Sequence, residues 1–332
     1  METSIREVAR RAGVSVGTVS NVLNRPSRVA ATTRARVLAA IDDLGFVRNE
    51  SARQLRVGRS QTLGLIVPDT RNPLFTDIAR GVEDAAAGSG LAVLLCNSAA
   101  SPGRERRAMD LLEQQRVRGL LITPVGLRHD HLSRLQERGM SVVLLDRRAP
   151  HHDRCSVRVD HELGGDIAVS YLIGLGRRRI AYASGPLDGD ACQGRHRGAL
   201  RALERAGLAP DAMINLVQPE LSVSAGRLAA ATLLRLDPRP TALFCGSDLM
   251  AVGALHALMR AGVRVPEDVA VVGYDDVELA DAAAVPLTTV RQPRQDLGRV
   301  ATELVVEEGE QTADHRHRHV PLAPELVVRE SA

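Results

Sequence analysis

Residues 3–24, TSIREVARRAGVSVGTVSNVLN, decide how the rest of the chain is read. Ile5, Val8, Ala9 and Ala12 recur at i, i+3, i+4 and i+7, which predicts the apolar face of a short helix. Gly13 tolerates the left-handed backbone that closes such a helix, and Ser15 offers a hydroxyl to cap the start of a second. Val19, Val22 and Leu23 supply the apolar side of that second helix. Two short helices joined by a tight glycine turn make a helix-turn-helix. Val16, Gly17, Thr18, Ser20 and Asn21 are left facing outward; they are small or polar and carry no acid, so a polyanion can come close. An αα-hairpin in an ordinary helical domain has the same spacing, and the next forty residues weigh against it. Val37, Ala40, Ile41 and Leu44 predict a third helix that Gly45 ends. Three helices over about 45 residues bury little core and usually lean on a partner. Residues 49–60, NESARQLRVGRS, hold at most one helical turn, from Ser51 to Arg56, too short to be stable alone.

Charge divides the chain in the same way. Residues 1–60 hold 11 Arg against 5 acids, a net of +6, and the remainder holds 32 Arg against 35 acids, a net of −3. A small basic head on a mildly acidic body points the head at nucleic acid. The chain contains no lysine, so any phosphate contact must come from guanidinium groups, backbone amides or neutral side chains. No run of 18 apolar residues suggests a membrane span, and METSIREVARR lacks the apolar core of a secretory signal. Cys96, Cys155, Cys192 and Cys245 are scattered without a CxxC, which fits buried thiols in a reducing cytoplasm rather than a disulfide framework or a metal site.

From Leu63 onward, apolar runs alternate with helical stretches: LGLIVP, LAVLLC, GLLITP, SVVLLD, RIAYASG, INLVQ, ALFCGS and VAVVGYDD. Continuous apolar strands between helices predict parallel sheets covered on both faces. There are enough strands for two sheets, with a break near residues 151–165. The fold class is therefore α/β: a three-helix head followed by two doubly wound subdomains with a cleft between them. Ligands in such sheets bind beyond the carboxyl ends of the strands, where Asp69, Asp146, Ser184, Ser247, Asp248, Tyr274 and Asp275 stand.

The strings REVARRAGVSVGTVSNVLNRPSRV and TRARVLAAIDDLGFVRNESARQLRVGRSQTLGLIVPDTRNPLF resemble the lactose-repressor (LacI/GalR-type) family of bacterial transcription regulators. The resemblance runs from Thr3 to Arg329 and includes the NPLF loop, the ARxLR segment and the late GYDD and LTTVRQP motifs. It implies a periplasmic-binding-protein-like body, crossed three times by the chain, so that the segment near LTTVRQ returns to the first lobe. The implied divisions are a head at 1–48, a hinge at 49–60 and an effector-binding and dimerisation body at 61–332. Lobe one takes in about 61–160 and 290–318, and lobe two about 161–289 and 319–332.

The resemblance also implies roles. Ser15 and Val16, at the start of the recognition helix, contact bases and phosphates in the major groove, where base edges are distinguishable. Gly17, Thr18, Ser20 and Asn21 belong to the same surface, with Arg25, Arg28, Arg34 and Arg56 as phosphate anchors. Leu55 of each hinge wedges into the minor groove. Effector contacts fall on Leu74, Phe75, Asp146, Arg147, Asp160, Ala191, Arg195, Leu221, Ser247 and Asp275. Arg195 is the expected clamp, and Asp146 and Asp275 accept from hydroxyls. Where relatives often place a stacking ring, this chain has Leu74 and Arg147, and its aromatics are limited to three Phe and three Tyr. Purine stacking is thereby disfavoured, and a sugar, sugar acid or sugar phosphate is expected. Arg147 alternatively pairs with Asp153 or Glu162. Ala30 stands where a serine usually caps the third helix, with Thr32 or Thr33 as substitutes.

The remaining signals are weaker. Gly176 in GLGRRR reads as a helix C-cap rather than part of a dinucleotide loop. His315, His317 and His319 alternate as on an exposed edge strand, and no metal site or cofactor is expected. No catalytic constellation is present, so the chain is not read as an enzyme. The expected protein is a cytoplasmic, nucleoid-associated homodimer on palindromic operator DNA, controlled allosterically by a small effector, without a membrane. ELVVRESA carries no tetramerising heptads. Rival readings are an extracytoplasmic solute-binding protein, a sugar-metabolising enzyme fused to a regulatory head, and a family member whose partner is a protein and whose cleft is vestigial.

Overall fold

The computed structural model describes residues 3–47, 60–126, 129–149, 153–310 and 315–332. Expected hinge residues Leu55 and Arg56 lie outside them. The chain separates into one unit ending at Ser60 and a second from Gln61 to Ala332.

In the first unit the three expected helices form: α1 (Ile5–Ala12), α2 (Val16–Asn24) and α3 (Ala31–Asp43). A capping box starts α1: Ser4 Oγ accepts from the Glu7 amide, and the Ser4 amide donates to Glu7 Oε2 at 2.7 Å. Gly13 closes α1 at φ 66°. Val8, Val19 and Val37, one from each helix, are fully buried and make the small core with Ala9, Ala12, Val22 and Ala40. Ala30 caps α3 without any side-chain hydrogen bond, so neither Thr32 nor Thr33 replaces the missing serine.

The second unit holds two six-stranded sheets. The first has the order β11-β5-β4-β3-β1-β2 and the second β12-β10-β9-β8-β6-β7. The strands of the first are β1 (Thr62–Val67), β2 (Ala92–Asn97), β3 (Gly119–Ile122), β4 (Ser141–Leu145), β5 (Ser156–Val159) and β11 (His319–Leu322), all parallel. Those of the second are β6 (Ile180–Ser184), β7 (Met213–Val217), β8 (Ala242–Cys245), β9 (Ala270–Asp275), β10 (Thr288–Arg291) and β12 (Glu325–Val327). Only β12 is antiparallel, to β10. Helices α4 (Pro73–Gly88), α5 (Pro102–Gln114), α6 (129–137) and α12 (Arg294–Glu310) serve the first lobe. Helices α7 (His161–Gly174), α8 (Asp190–Arg205), α9 (Val223–Leu233), α10 (Asp248–Arg260) and the short α11 (Glu278–Asp281) serve the second.

The chain crosses between sheets after β5, after β10 and after β11. LTTVR itself is β10 of the second sheet, and the return to the first lobe begins only at Gln292. Strand β11 pairs with β5, so residues 319–322, expected in the second lobe, belong to the first sheet. Two further expectations change. LAVLLC does form a strand, but β2 is an edge with Leu94 and Leu95 each more than 40% exposed, because no further strand covers it. The histidines do not all lie in a strand: only His319 enters β11, and the side chain of His315 is 5% exposed rather than on an open edge. Gly176 has φ 82° just past α7, as its reading required. No described helix is long and apolar enough to cross a membrane.

Candidate functional site

Two surfaces carry the chemistry, one in each unit. In the head, Ser15 accepts from the Thr18 amide at 3.1 Å and so starts α2 as a cap. Val16, Gly17 and Asn21 are exposed, as are Arg25, Arg28 and Arg34; Thr18 and Ser20 are half-buried. Val16 is 41% exposed and stands outside the head's core. The first turn of α2 contains no acid, and its free amides present the positive end of the helix.

In the body, the carboxyl ends of the strands bring together groups distant in sequence. Asp146 ends β4 at φ 51°, and Asp275 ends β9 at φ 118°. Non-glycine residues rarely adopt such backbone, and strain of this kind concentrates at functional sites. His161, at the start of α7, links Asp146 to Tyr274, the residue before Asp275: its Nε2 lies 2.9 and 3.0 Å from the Asp146 carboxylate oxygens, and its Nδ1 lies 3.1 Å from Tyr274 Oη. Arg195, 3% exposed on α8, holds its guanidinium 3.8 Å above the Tyr274 ring and donates from Nη1 to the Gly246 carbonyl at 2.5 Å. Gln292 Nε2 donates to Asp275 Oδ1 at 2.6 Å. Arg294 reaches from the start of α12 to the carbonyls of Asp275 and Asp276 while pairing with Asp77 of α4.

Close backbone packing makes this assembly possible. A Cβ on Gly165 would stand 2.0 Å from the Arg195 carbonyl oxygen, and one on Gly198 would stand 1.9 Å from that of Glu162. Helices α7 and α8 therefore touch backbone to backbone, with Arg195 over the Tyr274 ring and His161 at its hydroxyl.

The electrostatics differ between the two acids. Burial tends to raise the Asp146 pKa, but the charge and hydrogen bonds of His161, the Val159 amide and the nearby Arg195 outweigh it, and the carboxyl titrates below its ordinary range. Burial raises Asp275, and Arg195, Gln292 and Arg294 only partly offset this. Arg195 Nε and Ser184 Oγ are among the polar atoms buried here without a hydrogen-bond partner among the described residues, as is Arg147 Nε. An unpaired buried donor is costly and is normally matched by protein, water or ligand.

The expected effector residues thus fall into groups. Asp146, Arg195 and Asp275 converge on the network. Arg147 ion-pairs with Asp190 across the lobes at 3.3 Å, not with Asp153, which holds Arg154, or with Glu162, which holds Arg197 and Arg201. Asp160 caps α7 by accepting from the Leu163 amide, and Ser247 caps α10 by accepting from the Met250 amide. Leu74 and Phe75 pack on the first-lobe core, while Leu221 packs on the second-lobe core and covers Gly185 and Gly246. Ala191 is half-buried on the first turn of α8. Asp248 turns inward: it accepts from Thr289 Oγ1 at 2.6 Å and from the Val277 amide at 2.9 Å, which braces β10 and the end of β9. A cavity of about 300 Å³ opens beside the network, lined by Asp146, Arg147, Arg148, Arg158, His161, Glu162, Asp190 and Arg197 among others. Sequence reasoning did not assign roles to His161, Gln292 or Arg294. The nearest signal was the paired small residues of HELGG and GRHRG, whose spacing marks closely approaching helices.

Comparison with known proteins covers both units. Residues 4–49 match the model of bacterial regulatory proteins of the lacI family, and residues 169–332 match a periplasmic binding protein-like domain. The chain is 36% identical to the ribose operon repressor of Escherichia coli (strain K12) over 332 residues, 99% of each protein. It is 34% identical to the HTH-type transcriptional repressor PurR of Photobacterium profundum over 334 residues, 99% of this chain and 98% of that one. Among solved structures, the Lac repressor dimer bound to operator and the anti-inducer ONPF superposes with a TM-score of 0.86 at 28% identity, covering 100% of this chain and 99% of that chain.

Proposed function

Because this chain belongs to the lacI family of bacterial regulatory proteins, we propose that its α2 helix reads a two-fold symmetric operator and that a carbohydrate-like effector in the interlobe cleft controls that reading. It is a DNA-binding transcriptional regulator, not an enzyme. The observation that carries the effector reading is the buried, unpartnered pair Arg195 Nε and Ser184 Oγ beside two strained carboxylates. Donors and acceptors packed this densely, with Tyr274 already covered by Arg195, suit hydroxyls rather than a flat ring. Around the adjacent cavity Arg147 and Arg197 pair with Asp190 and Glu162, which leaves Arg148 and Arg158 to favour an anionic polyol, a sugar acid or sugar phosphate, through bidentate contacts.

On the DNA side, Ser15, Val16, Gly17, Thr18, Ser20 and Asn21 read bases, with Arg25, Arg28 and Arg34 on phosphates. Leu55 and Arg56 keep their proposed wedge and anchor roles on the sequence alone. Exposed Leu94 and Leu95 on edge strand β2 support burial in a homodimer, the state of the Lac repressor structure. As a regulator of transcription the protein works on the nucleoid in the cytoplasm.

The test combines a thermal-shift panel of neutral sugars, sugar acids, sugar phosphates and purines with fluorescence anisotropy on DNA selected from random sequence. The expected result is stabilisation by an anionic sugar that changes affinity for a palindromic site. A purine hit, or a hit that leaves DNA affinity unchanged, contradicts the proposal.

A further inference from the structure

Four side chains of metal-ligating chemistry meet on the first lobe, apart from the Asp146–Arg195 network. Cys155 directly precedes β5, Glu308 lies near the end of α12, and His315 and His317 lie on the segment entering β11. One donor atom from each falls within 4.8 Å of all the others. His315 Nε2 is 3.1 Å and His317 Nδ1 3.9 Å from Cys155 Sγ, and His315 Nε2 is 3.9 Å from Glu308 Oε2. Donor atoms around a tetrahedral zinc ion stand roughly 3.3–3.6 Å apart, so small adjustments bring all four to one centre.

The surroundings favour a cation over a casual cluster. Cys155 is fully buried, and the side chains of His315 and Glu308 are 5% and 12% exposed. Glu308 Oε2 is buried without a well-formed hydrogen bond, although Gln136, Cys155 and the backbone of Val142 lie against its carboxyl. Of the nearby arginines, Arg318 pairs with Glu307 and Arg154 with Asp153, while Arg154 Nη1 stays buried without a hydrogen-bond partner and its charge reaches Glu308. A thiol serving only as a small apolar filler would face carbon, whereas this one faces two imidazoles and the backbone amide of Arg318. His319 is turned elsewhere, 2.9 Å from Ser156 Oγ.

We propose that Cys155, Glu308, His315 and His317 form a binding site for a divalent transition metal of the zinc type. One thiolate, two imidazoles and one carboxylate suit a borderline ion and not the oxygen-seeking magnesium or calcium. Cys155 introduces β5, which leads to the first interlobe crossing, and His317 introduces β11, which leads to the third. A bound ion therefore ties both crossings to α12.

Full-length protein stripped by a chelator is titrated with Zn²⁺ against a chromophoric competitor, and separately with Co²⁺. The expected result is one ion per chain, with cobalt giving thiolate charge-transfer absorption and the strong visible bands of tetrahedral coordination. Cys155→Ser removes the charge-transfer band. Glu308→Gln and His317→Ala each weaken Zn²⁺ by at least the ~10-fold that losing even an outer-shell partner costs. Operator binding by each variant reports that it is folded. No stoichiometric uptake by the wild type overturns the proposal. So does unchanged Zn²⁺ affinity in Cys155→Ser, which would mean that the histidine run captures metal by itself.

Discussion

The head and the cleft place their chemistry in opposite positions. In the head, fully buried Val8, Val19 and Val37 carry the fold, and the candidate reading residues Val16, Gly17 and Asn21 are on the surface. In the cleft, the candidate binding residues are themselves interior: Arg195 is 3% and Asp275 2% exposed. A surface reader can change its sequence without disturbing its core. A buried binder cannot, because its ligand contacts are also fold contacts.

The largest effect should follow Arg195→Ala. It removes a buried charged hydrogen bond to Gly246 and the cation over Tyr274, a loss on the order of 3 kcal/mol. Thermal melts should show a markedly lower midpoint and no response to effector, while the folded fraction keeps its operator affinity. A variant as stable as the wild type would remove the claim that this side chain organises the cleft.

Asp146→Asn sharpens the comparison through pH. The folded-state pKa of Asp146 is depressed, so its contribution is present above the ordinary value of 3.8 and is lost as pH falls through the depressed value. Asp275 acts with the opposite sign: its pKa is raised, so stability drops as pH climbs from the ordinary value toward the raised one. The stability gap between wild type and Asp146→Asn should be open at neutral pH and close in acid. A gap independent of pH would mean that the His161 contact contributes shape rather than charge.

Arg147→Ala should cost no more than ~1 kcal/mol, since Asp190, its partner across the lobes, is 48% exposed. Its mark should appear in the affinity for anionic effectors rather than in the melt, and an unchanged affinity would argue for a neutral ligand. The smallest stability effect belongs to the head. Exchanging Val16, Gly17 and Asn21 together should stay within about 0.5 kcal/mol in unfolding. It should nevertheless alter the preferred half-site by roughly 1–3 kcal/mol per changed base contact, with the salt slope preserved. A selected DNA motif that did not move would place a different surface in the groove.

The same contrast explains what could be read from sequence. The head was legible because its cues are local: Gly13, Ser15 and the apolar spacing all act within one or two turns, whereas the Ser4–Glu7 capping box appeared only in the structure. The strands were legible from their apolar runs. In the cleft, Asp146 and Asp275 could be picked out because they stand at strand ends, and Arg195, on a helix, came only from the family resemblance. His161 escaped because its partners, Asp146 and Tyr274, are 15 and 113 residues away. Asp160 and Ser247 illustrate the reverse: polar residues at cleft positions whose side chains satisfy helix amides. The exposure of β2 and the burial of His315 were hidden because strand order, not composition, decides which strand is an edge and what lies beside it.

The central claim is that the buried cleft governs the exposed reader. Its most direct measurement is operator affinity of the full-length protein, by anisotropy, with and without the effector found by thermal shift, for wild type and Arg195→Ala. The account predicts a change of about 5–150-fold for the wild type, the range of a coupling of ~1–3 kcal/mol, and none for the variant. Equal operator affinity with and without a tightly bound effector in the wild type would contradict it.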